Sequence, residues 1–172
     1  AGVADVHHVY AQTDEGLTAL RPDAFEYEPR DKSDMDSIED AWDGPAEERV
    51  RKVLVDGEDE AADFARDVVF HSLAYTARRL GEIADDVVNI DRAMRWGFNW
   101  DLGPFQIWDA IGVEWGLEQM REHDLAVPEW AETMVDNGRT AFYRTEGTTE
   151  QYYDPRIDEY AELEGDPKKI EI

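Results

Sequence analysis

Apolar residues recur at steps of three and four from Asp59 to Leu80, at Ala61, Phe64, Ala65, Val68, Val69, Leu73, Tyr75, Ala77 and Leu80. That period lays them along one wide helical face, so the pattern predicts a long helix with a buried stripe. Arg78 and Arg79 fall in its last turn, where the macrodipole favours cations, and Gly81 follows. A second helix is predicted from Ile83 to about Trp96, with Val87, Ile90, Ala93, Met94 and Gly97 on one side. Pro104 suits the first turn of a further helix, since its missing N–H costs nothing there. That helix carries Phe105, Ile107, Trp108 and Ile111 and ends at Gly112; another runs from Val113 to about His123, and a last one opens at Pro128-Glu129 and closes at Asn137-Gly138.

Upstream the periodicity fades. Met35 to Trp42 reads as one short helix, and Gly44-Pro45 starts another that runs to about Val55 before Asp56-Gly57. Val6 to Tyr10 and Phe25-Glu26-Tyr27 lean towards strand. Downstream, Thr140–Arg144 and Glu150–Tyr153 alternate around Gly147, the pattern of a small hairpin, and Asp154–Ile172 reads as an acidic tail without a core. The expected fold class is therefore all-α: a compact helical bundle over 45–138, a linker-like segment over 1–44, and a β hairpin with an acidic end over 139–172.

Composition sharpens this picture. Of 172 residues, 42% are hydrophobic and 11% aromatic, enough for a core, and five of the six tryptophans lie between Phe64 and Trp130. Asp and Glu number 42 against 17 Lys and Arg, a net charge of -25. Self-repulsion at that charge opposes compaction in dilute buffer, and salt screens it. Lysine is confined to Lys32, Lys52, Lys168 and Lys169, and the acids are spread along the whole chain. The pattern points to a salt-adapted protein in a cytoplasm of molar salt; an acidic partner-binding surface is the alternative. Salt adaptation predicts a thermal unfolding midpoint that climbs steeply with KCl, and a flat response would count against it.

Candidate chemistry is sparse. No basic stripe meets nucleic-acid phosphates, no apolar run is long enough to span a bilayer, and the lack of cysteine removes disulfides and thiolate metal sites. The chain opens Ala1-Gly2 without a signal-peptide pattern, which suggests an excised piece or loss of an initiator Met. No Gly-x-Gly-x-x-Gly follows a strand, so dinucleotide binding is not expected, and Pro104 spoils the Gly103-Pro104 turn as a phosphate nest. His7, His8, His71 and His123 have no metal-site spacing, and Asp31, Asp34 and Asp36 lack the rest of a calcium loop. His71 could act as a base but reads first as a surface or packing residue. Acid pairs such as Asp85/Asp86 are expected by chance, and Ser33, Ser37 and Ser72 sit in no nucleophile elbow.

The most specific stretch is Val88-Asn89-Ile90-Asp91-Arg92-Ala93-Met94, then Gly97-Phe98, then Gly103-Pro104-Phe105-Gln106-Ile107-Trp108-Asp109-Ala110-Ile111-Gly112. Its motif residues are Asp91, Gly97, Gly103, Pro104, Phe105, Asp109 and Gly112. The local reading is structural: Asp91 caps or pairs across the turn, Gly97 and Gly103 supply positive φ, and Pro104 restarts the helix. The stretch closely resembles the C-terminal domain of the 3-hydroxyacyl-CoA dehydrogenases, over about Asp59 to Gly138. Tyr152-Tyr153-Asp154-Pro155 is similar to segments located after that domain in long, haloarchaeal-type multidomain members. The resemblance implies a role in fatty-acid β-oxidation. In that family a separate N-terminal domain binds NAD and carries the catalytic pair, while the helical domain closes over acyl-CoA and mediates dimerisation. Long members carry two helical copies, the second standing in for a dimer partner. The family's substrate-facing Asn falls at Asp67 here, which favours the second, structural copy. On this reading the fragment holds no cofactor, metal or catalytic residue of its own, and its partners are other domains of the same chain or a second subunit. The alternative is a free-standing acidic helical interaction module.

Overall fold

The computed structural model describes residues 10–13, 16–21, 24–29 and 35–163. Two compact units divide the chain, 1–34 and 35–172. In the first, β1 (Tyr10–Thr13), β2 (Gly16–Arg21) and β3 (Glu26–Pro29) form an antiparallel meander. Tyr10 pairs with Ala19 and Leu20 with Tyr27, and the Thr18 hydroxyl donates to Ala11 O at 2.8 Å. The β-leaning reading of Phe25–Tyr27 falls on β3 and the turn before it. Val6–Val9, with His7 and His8, lie outside the described residues, as do Asp31, Asp34 and residues 164–172.

The second unit begins with α1 (Asp36–Asp40) and α2 (Ala46–Arg51), the latter running into a π-helical turn, Lys52–Asp56. Next comes α3 (Glu60–Arg79). Asp59 caps it, accepting from the Ala62 amide at 2.9 Å, and the same carboxylate takes the Ser37 amide and hydroxyl at 2.8 and 2.7 Å. These donors hold the Asp59 carboxyl below its usual range. They also tie the start of α3 to α1, so one side chain fixes two helices.

Four helices follow: α4 (Val87–Phe98), α5 (Pro104–Ile111), α6 (Val113–Glu122) and α7 (Glu129–Asp136). The core takes Phe70, Leu73 and Ala77 from α3, Val87 and Ile90 from α4, Trp108 and Ile111 from α5, and Leu117 and Met120 from α6. Trp108 is fully buried, and its indole N–H donates to Val113 O at 3.0 Å. Gly116 makes room for it: a Cβ there would stand 2.4 Å from Trp108 Nε1. Gly116→Ala is expected to cost about 2 kcal/mol by displacing the indole, read as a lower urea midpoint and altered tryptophan emission.

The all-α expectation is corrected by the two three-stranded antiparallel sheets. The predicted hairpin is present as β4 (Tyr143–Glu146) and β5 (Thr149–Asp154), turning at Gly147 with φ +64. A third strand, β6 (Glu159–Glu162), pairs with β5 where the sequence reads as a coreless tail. Its turn is built from polar side chains: the Arg156 amide donates to Asp154 Oδ1 at 3.0 Å, and Asp158 adopts φ 53. Acidic composition hid the strand, because Tyr160 alone supplies its large apolar contact, edge-on to Tyr153 at 6.0 Å. The sheet enters the core through Phe142 and Tyr153, which are buried against Trp130. The aromatic core is Phe70, Phe105, Trp108, Phe142 and Tyr153, with Trp115 and Trp130 packed against it, while Trp96 and Trp100 are each 40% exposed.

Two helix expectations also shift. Ile83 to Asp86 is a turn, and α4 starts four residues later because Asp86 accepts from the Asn89 amide at 2.8 Å. On α3, Phe64, Val68 and Tyr75 face outward, and the buried stripe runs through Ala62, Phe70, Leu73, Ala74 and Ala77. That helix has apolar residues on both sides, so period alone cannot choose between them. Among the described residues no helix is long and apolar enough to cross a membrane.

Candidate functional site

The motif residues of the sequence gather at one corner, where α4 turns into α5. Asp91, on the first turns of α4, is 2% exposed. Its carboxylate faces the start of α5, accepting from the Phe105 amide at 2.8 Å and the Gln106 amide at 3.2 Å. These are donors that a helix start leaves without internal partners. Gln106 reaches back so that its Oε1 accepts from the Gly103 amide at 3.0 Å. The Tyr143 hydroxyl, from β4, donates to Asp91 Oδ2 at 2.7 Å. The cap therefore comes from a residue 14 positions upstream and is completed by one 52 positions downstream of it.

Asp109 repeats the device at the other end of α5. It accepts from the Phe142 amide at 2.6 Å and the Tyr143 amide at 2.8 Å, fastening the start of β4 to the helix. Burial pushes the Asp91 carboxyl up to about 7, against the pull of the Phe105 amide, the Tyr143 hydroxyl and the Gln106 amide. Burial likewise pushes Asp109 up to about 7; the two amides pull it down and the nearby Asp91 charge adds to the rise. The Tyr143 hydroxyl is raised by burial and by the Asp91 charge beside it, so it stays a donor.

The glycines work differently from the expectation. Gly97 lies inside α4 with open space around it, and Gly103 has φ -79. The chain reversal rests instead on Asn99, in the left-handed region at φ 57 and ψ 35. Gly103 is needed for close approach: a Cβ there would meet Asp91 Cα, Cβ and Cγ at 2.4 to 2.5 Å. Gly112 has φ +93 and joins α5 to α6. Pro104 and Phe105 are buried at the first two positions of α5. Sequence reasoning missed Asn99, Gln106, Phe142 and Tyr143. Asn tolerates the left-handed region and Gln suits the third helical position, so those two left a readable signal. Phe142 and Tyr143 left none, because only the fold brings them there.

Asp67 stands apart from this corner. It is exposed on α3, with Oδ1 3.4 Å from His71 Nδ1, and that ring nitrogen also lies 2.7 Å from Asp67 O. His123 instead packs its ring against Phe70 at 5.6 Å. Among the described residues no three His, Asp or Glu side chains converge as a metal would require. The start of α5 does not fit a dinucleotide phosphate either: the Asp91 carboxylate already occupies the amides an anion would need, and Pro104 offers none.

Fold and corner together define a helical domain stitched to a small antiparallel sheet by the buried Asp91 carboxylate and the half-buried Asp109 carboxylate. The chain belongs to the family described as 3-hydroxyacyl-CoA dehydrogenase, C-terminal domain, whose profile matches residues 64–151. It is also 34% identical, over 163 residues, to a Bacillus subtilis (strain 168) protein named "Probable 3-hydroxyacyl-CoA dehydrogenase". That match covers 95% of this chain and 20% of the relative, so the chain spans about one fifth of the relative's length. No solved structure matches it significantly.

Proposed function

We propose that this chain is a C-terminal-type domain of an NAD-dependent 3-hydroxyacyl-CoA dehydrogenase of fatty-acid β-oxidation. It supports domain or subunit pairing and the wall of the acyl-CoA cleft, while hydride transfer takes place on other domains of a longer cytoplasmic protein. The family match over 64–151, centred on the α4–α5 corner, carries this reading. Chemistry at the corner agrees with it, since Asp91 and Asp109 are both engaged by backbone amides. The nicotinamide cofactor would be held by those other domains. Asp67, exposed at the position of the family's substrate-facing Asn, would serve the cleft as a surface residue and not as an acid or base.

The test is direct. The 172-residue chain, incubated in molar KCl with NADH and acetoacetyl-CoA, is expected to leave NADH absorbance at the rate of the blank. Turnover that is lost in Asp67→Ala would overturn the non-catalytic reading.

A further inference from the structure

Asparagine stands before glycine at one place in the chain: Asn89 is followed by Ile90, Asn99 by Trp100 and Asn137 by Gly138. Glycine has no side chain to shield its backbone nitrogen, so that nitrogen can close on the carboxamide before it. In that reaction the Gly138 nitrogen gives up its proton to water and bonds to Asn137 Cγ. The Cγ–Nδ2 bond breaks and ammonia leaves. Water then opens the resulting succinimide at either carbonyl and leaves aspartate or isoaspartate. No electrons are exchanged, and water is the co-reactant.

The fold keeps the two reacting groups apart. Asn137 closes α7 at φ -83 and ψ 10, and Gly138 follows at φ +75. The Gly138 amide donates to Val135 O at 2.8 Å and the Arg139 amide to Met134 O at 3.0 Å. These are the paired bonds of a helix end closed by glycine. The attacking nitrogen is thus turned to the helix, and ring closure requires this last turn to open.

The carboxamide is held from the other side. Asn137 Nδ2 donates to Asp158 Oδ2 at 2.9 Å, across 21 positions of sequence. Asp158 lies in the turn between β5 and β6, at φ 53. Its Oδ1 accepts from the Tyr153 hydroxyl at 2.8 Å and stands 3.1 Å from Arg139 Nη1, and its carbonyl oxygen accepts from Arg139 Nη2. Asn137 and Gly138 are both exposed, so water reaches them once the turn opens.

Modification would undo this clasp. The amide donor becomes a carboxylate oxygen beside Asp158 Oδ2, and like charges at that distance repel. Arg139, which lies between them in sequence, is already shared with Glu159, its Nη2 standing 3.3 Å from Glu159 Oε1.

We propose that Asn137-Gly138 is a deamidation site held in check by Asp158, and that its conversion to aspartate or isoaspartate frees the β5–β6 turn from the end of α7. The proposal goes beyond the dehydrogenase reading and does not depend on it.

The test follows the full 172-residue chain over time in mildly alkaline buffer with molar KCl, by peptide mass mapping and isoaspartate content. Conversion at Asn137 is expected to be slower in the folded chain than in guanidinium chloride by roughly tenfold or more, since it needs local opening. Asp158→Asn keeps a residue that tolerates φ 53 but removes the charge. It should speed conversion of the folded chain by roughly tenfold, the worth of a hydrogen bond to a charged group. Asn137→Asp copies the product charge and should speed hydrogen exchange of the β6 amides while those of α5 stay unchanged. Equal rates in folded and denatured chain, an unchanged rate in Asp158→Asn with native circular dichroism, or unchanged β6 exchange in Asn137→Asp would each overturn the proposal. The folded-against-denatured comparison needs no variant, so the proposal stays testable if Asp158→Asn does not fold.

Discussion

Gly103→Ala is expected to destabilise the helical unit by roughly 3 kcal/mol, the upper end of what overpacking costs. The added Cβ would stand 2.4 Å from Asp91 Cα and Cβ. Backbone cannot swing aside as the end of a flexible side chain can, so α4 and α5 must separate. Separation lengthens the bonds from the Phe105 and Gln106 amides to Asp91, and strain and lost capping add together. Gly97→Ala is the matched control. No atom lies within 4 Å of its added Cβ, and the position is helical, so a gain of about 0.5–1 kcal/mol is expected from helix propensity. Urea midpoints of the two variants in molar KCl decide the matter: a similar loss in both would refute the close-approach account of the corner.

Removing the carboxylate is expected to have a comparable effect by another route. In Asp91→Ala the amides of Phe105 and Gln106 and the hydroxyl of Tyr143 lose their acceptor at a buried site. Each orphaned donor costs about 1–3 kcal/mol unless water reaches it, so a loss of roughly 3–4 kcal/mol is expected. The same residue predicts a pH dependence. Its carboxyl is raised to about 7 in the folded chain from 3.8, so the folded state holds a proton that the unfolded state has released. Stability from this group is fully present below pH 3.8 and is lost as pH rises through about 7; Asp109 acts in the same direction. The unfolding midpoint should therefore fall as pH rises from about 4 to about 7. Asp91→Asn should make that slope shallower, and an unchanged slope would show that Asp91 titrates elsewhere.

The helices were legible in the sequence because period, proline and glycine agreed locally. Pro104 and Gly112 bound α5 as expected, and Asp59 and Gly57 mark where α3 begins. The motif at 88–112 also pointed to the right family, and its structural reading of Asp91 as a cap across the turn agrees with the bonds observed. The features that stayed hidden depended on distance or on compensation. Tyr143 approaches Asp91 only after the sheet has folded back onto α4 and α5. The strand Glu159–Glu162 looks like tail because its acids are exposed, while the pairing that makes it a strand is main-chain. Phe64, Val68 and Tyr75 satisfied the helical period and still face outward, since a two-sided apolar helix carries no local record of which side meets the core.

The closing sheet has a consequence for how the domain can be cut. The family profile stops at residue 151, inside β5, and opens at residue 64, inside α3. A recombinant piece trimmed to those limits would lose Tyr153 from its place against Trp130 and the whole of β6. At the front it would lose the Asp59 cap together with the π turn. Sequence recognition thus ends short of the folding unit at both ends. An expression boundary drawn from the profile is expected to give a frayed product, whereas one drawn from 35 to 163 keeps every strand and cap of the helical unit among the described residues.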